Sequence, residues 1–181
     1  MDDGIDLGID FGTTNSWVSF VPAGGGVIKT YGHSSLCLWR NGETFFGEEA
    51  QAMIQNEPGV GCPIRDLKLK LSGDSRVNVG SMEVCPIELS SEFIKDLVRK
   101  YHDGNNVSSV TVGIPVSITR EHRLNIIKAA KQAVCGDVQV VYEPTAALIG
   151  SEQLKELKNR SLVLVVDWGG GTLDLSVVKS E

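Results

Sequence analysis

Gly8-Ile9-Asp10-Phe11-Gly12-Thr13-Thr14-Asn15-Ser16 stands near the start of the chain, and Val166-Asp167-Trp168-Gly169-Gly170-Gly171-Thr172-Leu173-Asp174 near its end. Each follows an apolar run, Ile5–Ile9 in one case and Leu162–Val166 in the other. Each then gives Asp, an aromatic residue, glycine and threonine before a second strand-like segment. A short apolar run bounded by turn residues predicts a buried strand, so each carboxylate stands at a strand end. Glycine lets the turn bend tightly and lets another group approach the bare backbone. The N–H groups and hydroxyls of such a turn hold phosphate, and the neighbouring carboxylate orients a hydrated divalent cation. Three consecutive glycines cost backbone entropy, which a ligand that needs the bare backbone offsets. Two such turns in 181 residues predict two phosphate grips that face one another. Thr172 and Asp174 alternate along the last strand and share a face, a place for a carboxylate to orient a water or a monovalent ion.

Working outward from the first turn, Asn15–Val21 reads as the hairpin partner of Ile5–Ile9, and Val27–Tyr31 as a third strand after Gly24-Gly25-Gly26. Leu36–Trp39 and Glu43–Phe46 flank Asn41-Gly42, a strong hairpin turn. Glu48–Gln55 predicts a short helix that stops near Pro58, residues 59–75 read as irregular, and Arg76–Val79 with Met82–Ile87 as a small hairpin around Gly80-Ser81. The period then changes. Leu89, Phe93, Ile94, Leu97, Val98 and Tyr101 keep helical spacing, with Ser90 or Ser91 as N-cap and Asp103-Gly104-Asn105 as the stop. Val107–Ile114 is a strand. Thr119 caps a helix running to Val134, its stripe Leu124, Ile127, Ala130 and Val134, with Gly136 beyond its end. Val138–Tyr142 is a strand, Glu143-Pro144-Thr145 opens a helix, and Leu162–Asp167 with Thr172–Val178 forms a closing hairpin. A β-meander, an insertion, then strand–helix–strand–helix is the half-unit of an α/β, ribonuclease H-like, actin-like ATPase fold. The expected division is 1–35 with 107–160 as the core of lobe I, 36–106 as a smaller inserted α+β subdomain, and 161–181 as the first hairpin of a second lobe.

Composition bounds the partners. The chain is 41% apolar and 22% charged with a formal charge of −6, ordinary for a soluble globular protein. It shows no basic patch, which argues against nucleic acid. No apolar run approaches the ~18 residues of a spanning helix, and the start lacks the basic and apolar regions of a signal peptide. The reading is of no membrane partner and a cytoplasmic location. Cys37, Cys62, Cys85 and Cys135 are scattered and read as reduced small hydrophobes. His33, His102 and His122 share no spacing that suggests zinc. Three charged residues keep a bland local reading: Glu143 as a helix cap, and Lys68 and Lys70 as part of a solvated strand edge.

Together these pieces resemble the nucleotide-binding domain of the seventy-kilodalton heat-shock chaperone family. The resemblance rests on the two turns quoted above, on Val110-Thr111-Val112-Gly113-Ile114-Pro115 and on Glu143-Pro144-Thr145-Ala146-Ala147. That last stretch points to the chaperones rather than to the actin-like filament proteins and sugar kinases that share the fold. The resemblance implies ATP or ADP with Mg2+, and a place for K+. Gly12, Thr13, Thr14 and Asn15 would hold phosphates from one side, and Gly169, Gly170, Gly171 and Thr172 from the other. Asp10 and Asp167 would position hydrated magnesium, joined through water by Glu143. Lys68, with Arg65 as the alternative, would stabilise the transferring phosphoryl group, and Thr172, Asp174 and Asp10 would position the attacking water or the potassium ion. ATP hydrolysis, unfolded peptides and co-chaperones belong, by the same resemblance, to a parent protein with parts beyond residue 181. The 181 residues alone would then bind nucleotide at millimolar affinity or not at all, about 4 kcal/mol or less, and would not turn it over. A hairpin opening an absent lobe is marginal. It would be disordered, packed on lobe I or paired with a second copy. The alternative is a short, non-enzymatic actin-fold assembly or regulatory module.

Overall fold

The computed structural model describes residues 4–21, 25–73, 76–101, 107–134, 136–151 and 161–179. Strands β1 (Ile5–Asp10), β2 (Asn15–Phe20), β3 (Lys29–Ser34), β9 (Val107–Ile114) and β10 (Asp137–Tyr142) form one sheet in the order β10-β9-β1-β2-β3. β1 pairs antiparallel with β2, and β2 with β3, while β9 lies parallel between β1 and β10. Period-two alternation puts Ile5, Leu7, Ile9, Val18, Val110 and Val112 on one buried face. Helices α3 (Pro86–Tyr101) and α4 (Arg120–Ala133) cover that face through Phe93, Ile94, Leu97, Ile126 and Ala129. Each such large side chain contributes roughly 1.5–3 kcal/mol by leaving water. This mixed α/β sheet is that of an actin-like ATPase fold.

Between β3 and β9 lie β4 (Cys37–Arg40), β5 (Glu43–Phe46), α1 (Gly47–Asn56), β6 (Cys62–Ile64), α2 (Leu67–Lys70), and the hairpin β7 (Val77–Val79) with β8 (Met82–Val84). The turn between β4 and β5 takes positive φ at both Asn41 and Gly42, 53° and 92°, the primed geometry that its sequence predicts. Residues 59–75 depart from the irregular reading: Cys62–Ile64 adds to β4 as an edge strand, and Leu67–Lys70 makes one helical turn. The third strand sits later than its apolar residues suggest, leaving Val27 and Ile28 exposed. Helix α3 begins at Pro86, whose ring presets the first-turn dihedral. Ser90 and Ser91 therefore lie buried inside the helix and do not cap it. Thr119 does cap α4, its Oγ1 accepting from the backbone N–H of His122. The buried face of α4 is His122, Asn125, Ile126, Ala129 and Ala130, and Leu124 of the expected stripe is exposed. The predicted stop at 103–105, His102 and Cys135 fall outside the described residues. No helix is long and apolar enough to cross a membrane among the described residues.

Helix α5 (Glu143–Gly150) follows β10 directly, and β11 (Leu162–Trp168) pairs antiparallel with β12 (Leu173–Lys179). The closing hairpin forms its ladder and packs against α5. Its outer face, with Leu162, Leu164, Val166, Trp168, Leu173, Leu175 and Val177, is exposed.

Candidate nucleotide site

The carboxyl ends of the parallel strands β1, β9 and β10 converge on one edge of the sheet, where open α/β sheets place their ligands. β1 delivers Asp10 to that edge and β10 runs into Glu143, the first residue of α5. Phe11 turns inward, fully buried against the ring of Phe93. That anchor fixes the start of the Gly12–Asn15 turn. A methyl group on Gly12 would lie 2.0 Å from the Asn15 carbonyl oxygen, so the turn closes only around glycine. Thr13, Thr14 and Asn15 line the cleft. Ser16 points the other way, buried and hydrogen-bonded to Ser35 at 2.8 Å, so it adds no hydroxyl to the site.

The hairpin supplies the opposite wall. The N–H of Gly169 donates to the Thr172 carbonyl at 2.9 Å and closes the glycine turn. A Cβ on Gly170 would meet Thr14 Oγ1 at 2.7 Å, and one on Gly171 would meet Thr13 Oγ1 at 3.2 Å. The two Asp–aromatic–glycine turns thus touch, glycine against threonine. Asp167 and Asp174 are direct cross-strand partners. Like charges so placed repel, a cost that a cation between them removes. Ser117, in the loop after β9, donates to Asp174 at 3.5 Å. The resulting cleft of about 570 Å³ is lined by Asp10, Gly12–Asn15, Lys68, Glu143, Asp167, Gly169, Gly170, Thr172 and Asp174. Gly171 backs it through its approach to Thr13.

Lys68 corrects the solvated-edge reading. It sits on the single turn of α2, 6% exposed, and its Nζ donates to Glu143 Oε1 at 2.6 Å. The helix points Lys68 inward while Leu69 stays half-exposed, which a strand alternation with buried leucines would not do. Arg65 is exposed and does not line the cleft. Glu143 goes beyond its cap reading: Tyr142 is the N-cap of α5, and the Glu143 carboxylate spans to Lys68.

The electrostatics of the cleft are those of crowded carboxylates around one ammonium. Burial pushes the Asp10 carboxyl above its ordinary value; Lys68 opposes that rise and Asp167 adds to it. Burial likewise raises Glu143, against the pull of the Lys68 charge and hydrogen bond, with Asp10 and Asp167 contributing. Asp10, Glu143 and Asp167, lining one cleft, are a receptor for positive charge. Among the described residues, no three acidic, histidine or cysteine side chains stand close enough to chelate a bare metal ion. The arrangement fits a cation that keeps its water shell, as magnesium does.

Sequence reasoning missed Trp17, His122 and Ser117, which also line the cleft. Trp17 is half-exposed on β2, its ring lying over Gly32 of β3. His122 Nε2 lies 2.8 Å from the Lys68 carbonyl oxygen. The available signal was His122 and Asn125, two polar residues three apart on the helix face that packs inward.

The family model described as MreB/Mbl protein matches residues 4–181. The chain belongs to this family. It is thereby a member of the actin-like ATPase superfamily and a nucleotide-binding actin-fold domain. Curated relatives carry another name from the same superfamily. Chaperone protein DnaK of Mycoplasmopsis agalactiae (strain NCTC 10123 / CIP 59.7 / PG2) is 30% identical over 182 residues, covering 96% of this chain and 29% of that protein. Chaperone protein DnaK of Mycoplasmopsis synoviae (strain 53) is 30% identical over 187 residues, covering 98% and 30%. That of Metamycoplasma hominis is 30% identical over 184 residues, covering 97% and 30%. The chain spans under a third of the length of these relatives. Since the family model is not that of a heat-shock protein, Glu143-Pro144-Thr145-Ala146-Ala147 does not by itself decide between branches of the superfamily.

Proposed function

We propose that the cleft holds the phosphates of ATP or ADP, with a hydrated Mg2+, between the Gly12–Asn15 and Gly169–Thr172 turns. The observation that carries this reading is the contact of the two turns, Gly170 on Thr14 and Gly171 on Thr13, beside a cleft that Asp10, Glu143 and Asp167 also line. The bound cation supplies charge neutralisation to the phosphate oxygens. Asp10 and Asp167 would hold that cation through its waters, and Glu143 would join them from α5. The backbone N–H groups of both turns and the hydroxyls of Thr13, Thr14 and Thr172 take the phosphate oxygens. Among the described residues, Lys68 offers the one ammonium lining the cleft. Glu143 holds it, and a phosphate entering the cleft competes for the same three N–H donors. Thr172 and Asp174 orient the attacking water, or hold a K+ ion, on the hairpin side.

In the whole protein this site would hydrolyse ATP and couple the step to binding and release of unfolded peptide, a chaperone cycle with co-chaperone partners. The likeness to proteins named DnaK and the Glu-Pro-Thr-Ala-Ala junction support that finer reading. Its division of labour would keep 1–35 with 107–160 as the core lobe, 36–106 as an inserted subdomain and 161–181 as the start of a second lobe. A second reading, an actin-fold assembly or regulatory module without turnover, is favoured by the apolar outer face of the hairpin. Calorimetry with Mg-ATP, with and without EDTA, tests the site. Cation-dependent binding lost in Asp10→Asn and Lys68→Met supports it; equal binding in all variants overturns it. Steady-state phosphate release then separates the ATPase from the assembly module.

A further inference from the structure

The segment that carries Lys68 is the least self-supporting part of the cleft wall. α2 has four residues, far below the length at which a helix holds itself in water. It starts from Asp66, whose backbone is left-handed (φ 55°, ψ 39°) and whose side chain makes no cap bond. Such a conformation persists where the surroundings impose it. Leu67 and Leu71 are fully buried and fix the inner side of the turn. Apolar contact is non-directional, however, and leaves the rotation of so short a helix free. Direction comes from α4. His122 Nε2 lies 2.8 Å from the Lys68 carbonyl oxygen, and Asn125 Nδ2 donates to the Leu71 carbonyl oxygen at 3.0 Å. A carbonyl accepts and never donates, so His122 carries its proton on Nε2 and donates it. The two donors stand three residues apart, on one helix face, and are 6% and 3% exposed. Polar groups buried this far are costly unless bonded, and these are bonded to the backbone of α2 and of Leu71, its C-cap. The neighbouring buried positions on α4, Ile126, Ala129 and Ala130, are apolar.

We infer that His122 and Asn125 are positioning residues: they clamp the backbone of α2 and so aim the Lys68 ammonium into the phosphate cleft. His122 also lines the cleft, and the clamp acts through the backbone that carries Lys68. This inference rests on the reading of the cleft as a phosphate site, and one set of variants separates the two. In the full-length protein, His122→Leu, His122→Gln, Asn125→Ala, Lys68→Met and the double variant His122→Leu/Lys68→Met are compared for Mg-ATP affinity, phosphate release and amide exchange. His122→Leu lowers turnover by up to about a hundredfold, the scale of a misplaced catalytic group, with a smaller change in KM. His122→Gln, whose amide N–H can donate to the same carbonyl, recovers most of it. In the Lys68→Met background His122→Leu changes turnover less than about twofold, because coupled sites are not additive. Amide exchange at Leu69–Ser72 accelerates tenfold or more in His122→Leu and Asn125→Ala, while β1 amides keep their protection. Effects that multiply in the double variant, or α2 amides that stay protected in both clamp variants, overturn the inference. If His122→Leu does not fold, His122→Gln and Asn125→Ala decide through the same exchange readout. A Lys68→Met protein with unchanged affinity and turnover overturns the phosphate role of Lys68 itself, and the clamp's purpose with it.

Discussion

Asp10 joins two demands that pull in opposite directions. A site for a hydrated cation needs its negative charge, and the partial desolvation of Asp10 in the cleft penalises that charge although its side chain stays open to solvent. Desolvation raises its pKa above the ordinary carboxylate value, as it does that of Glu143. A carboxyl whose folded pKa lies above its unfolded value costs the fold nothing while both states are protonated. It takes stability away as pH rises from the unfolded value through the folded one. At neutral pH the penalty is in force. Asp10→Asn therefore leaves the melting temperature of the nucleotide-free protein unchanged or higher, and weakens cation-dependent nucleotide binding by about tenfold to a hundredfold. Differential scanning calorimetry with and without Mg-ATP reads both; a less stable free protein with intact binding contradicts the assignment. Gly170 makes the complementary point about shape. Its absent Cβ leaves 2.7 Å to Thr14 Oγ1, within the range where something must shift, so Gly170→Ala wedges the turns apart. The expected result is weaker Mg-ATP binding, on the order of tenfold, with an unchanged circular dichroism spectrum. The sequence made Asp10, Gly12 and the glycine run legible, because a carboxylate and a bare backbone at a strand end have few other uses. It made Lys68 legible only through a family pattern. Alternating Lys and Leu fits a strand edge as well as a helical turn, and His122 and Asn125, which settle the matter, lie 54 residues further on.

At the scale of elements, α3 links the sheet, the inserted segment and the first turn. Phe93 is fully buried and meets Phe11 at 5.6 Å, His33 at 5.3 Å and Phe46 at 5.9 Å between ring centroids. Tilted and edge-on aromatic pairs add about 0.5–1.5 kcal/mol each beyond their burial. Phe93→Ala leaves a cavity among three rings and costs about 3–5 kcal/mol. Because Phe11 follows Asp10 directly, the same change loosens the phosphate turn. Urea unfolding gives the first effect. Faster amide exchange at residues 12–15, already in the absence of denaturant, gives the second. Unperturbed exchange there would detach the turn from the core. Helix α3 itself is readable from its 3.6-residue spacing, yet its start is not. Ser90 and Ser91 carry the chemistry of caps, and only the packing of the preceding turn shows that Pro86 begins the helix and buries them. The same limit applies to α4, where apolar spacing alone misplaced the buried face. Two polar residues occupy it, satisfied by carbonyls distant in sequence.

The molecule as a whole is two unequal bodies of structure meeting at one cleft. The five-stranded sheet has both a buried face under α3 and α4 and a continuous core. The hairpin has a two-stranded ladder, a row of exposed apolar side chains, and its attachments to α5 and the phosphate turn. A two-stranded hairpin is marginal in water without a covering layer, so stability across the molecule is uneven, and the hairpin stands at its low end. Its near wall carries Asp167 opposite Asp174, a repulsion that works against closure until positive charge arrives. Closing the cleft and binding the cation are therefore one equilibrium: each favours the other by the same factor. In native-state amide exchange, β11 and β12 exchange at least tenfold faster than β1 and β9 in the free protein. Mg2+ alone slows them slightly and Mg-ATP slows them strongly. With ligand at a hundred times its dissociation constant, the closed form gains about 2.7 kcal/mol, roughly a hundredfold in protection. Lys68→Met blunts the response to Mg-ATP more than the response to Mg2+, since its ammonium answers phosphate and not cation. Equal protection of the hairpin and the central sheet in the free protein, or a hairpin indifferent to Mg-ATP, would mean that the two turns touch for packing alone and that no ligand closes them.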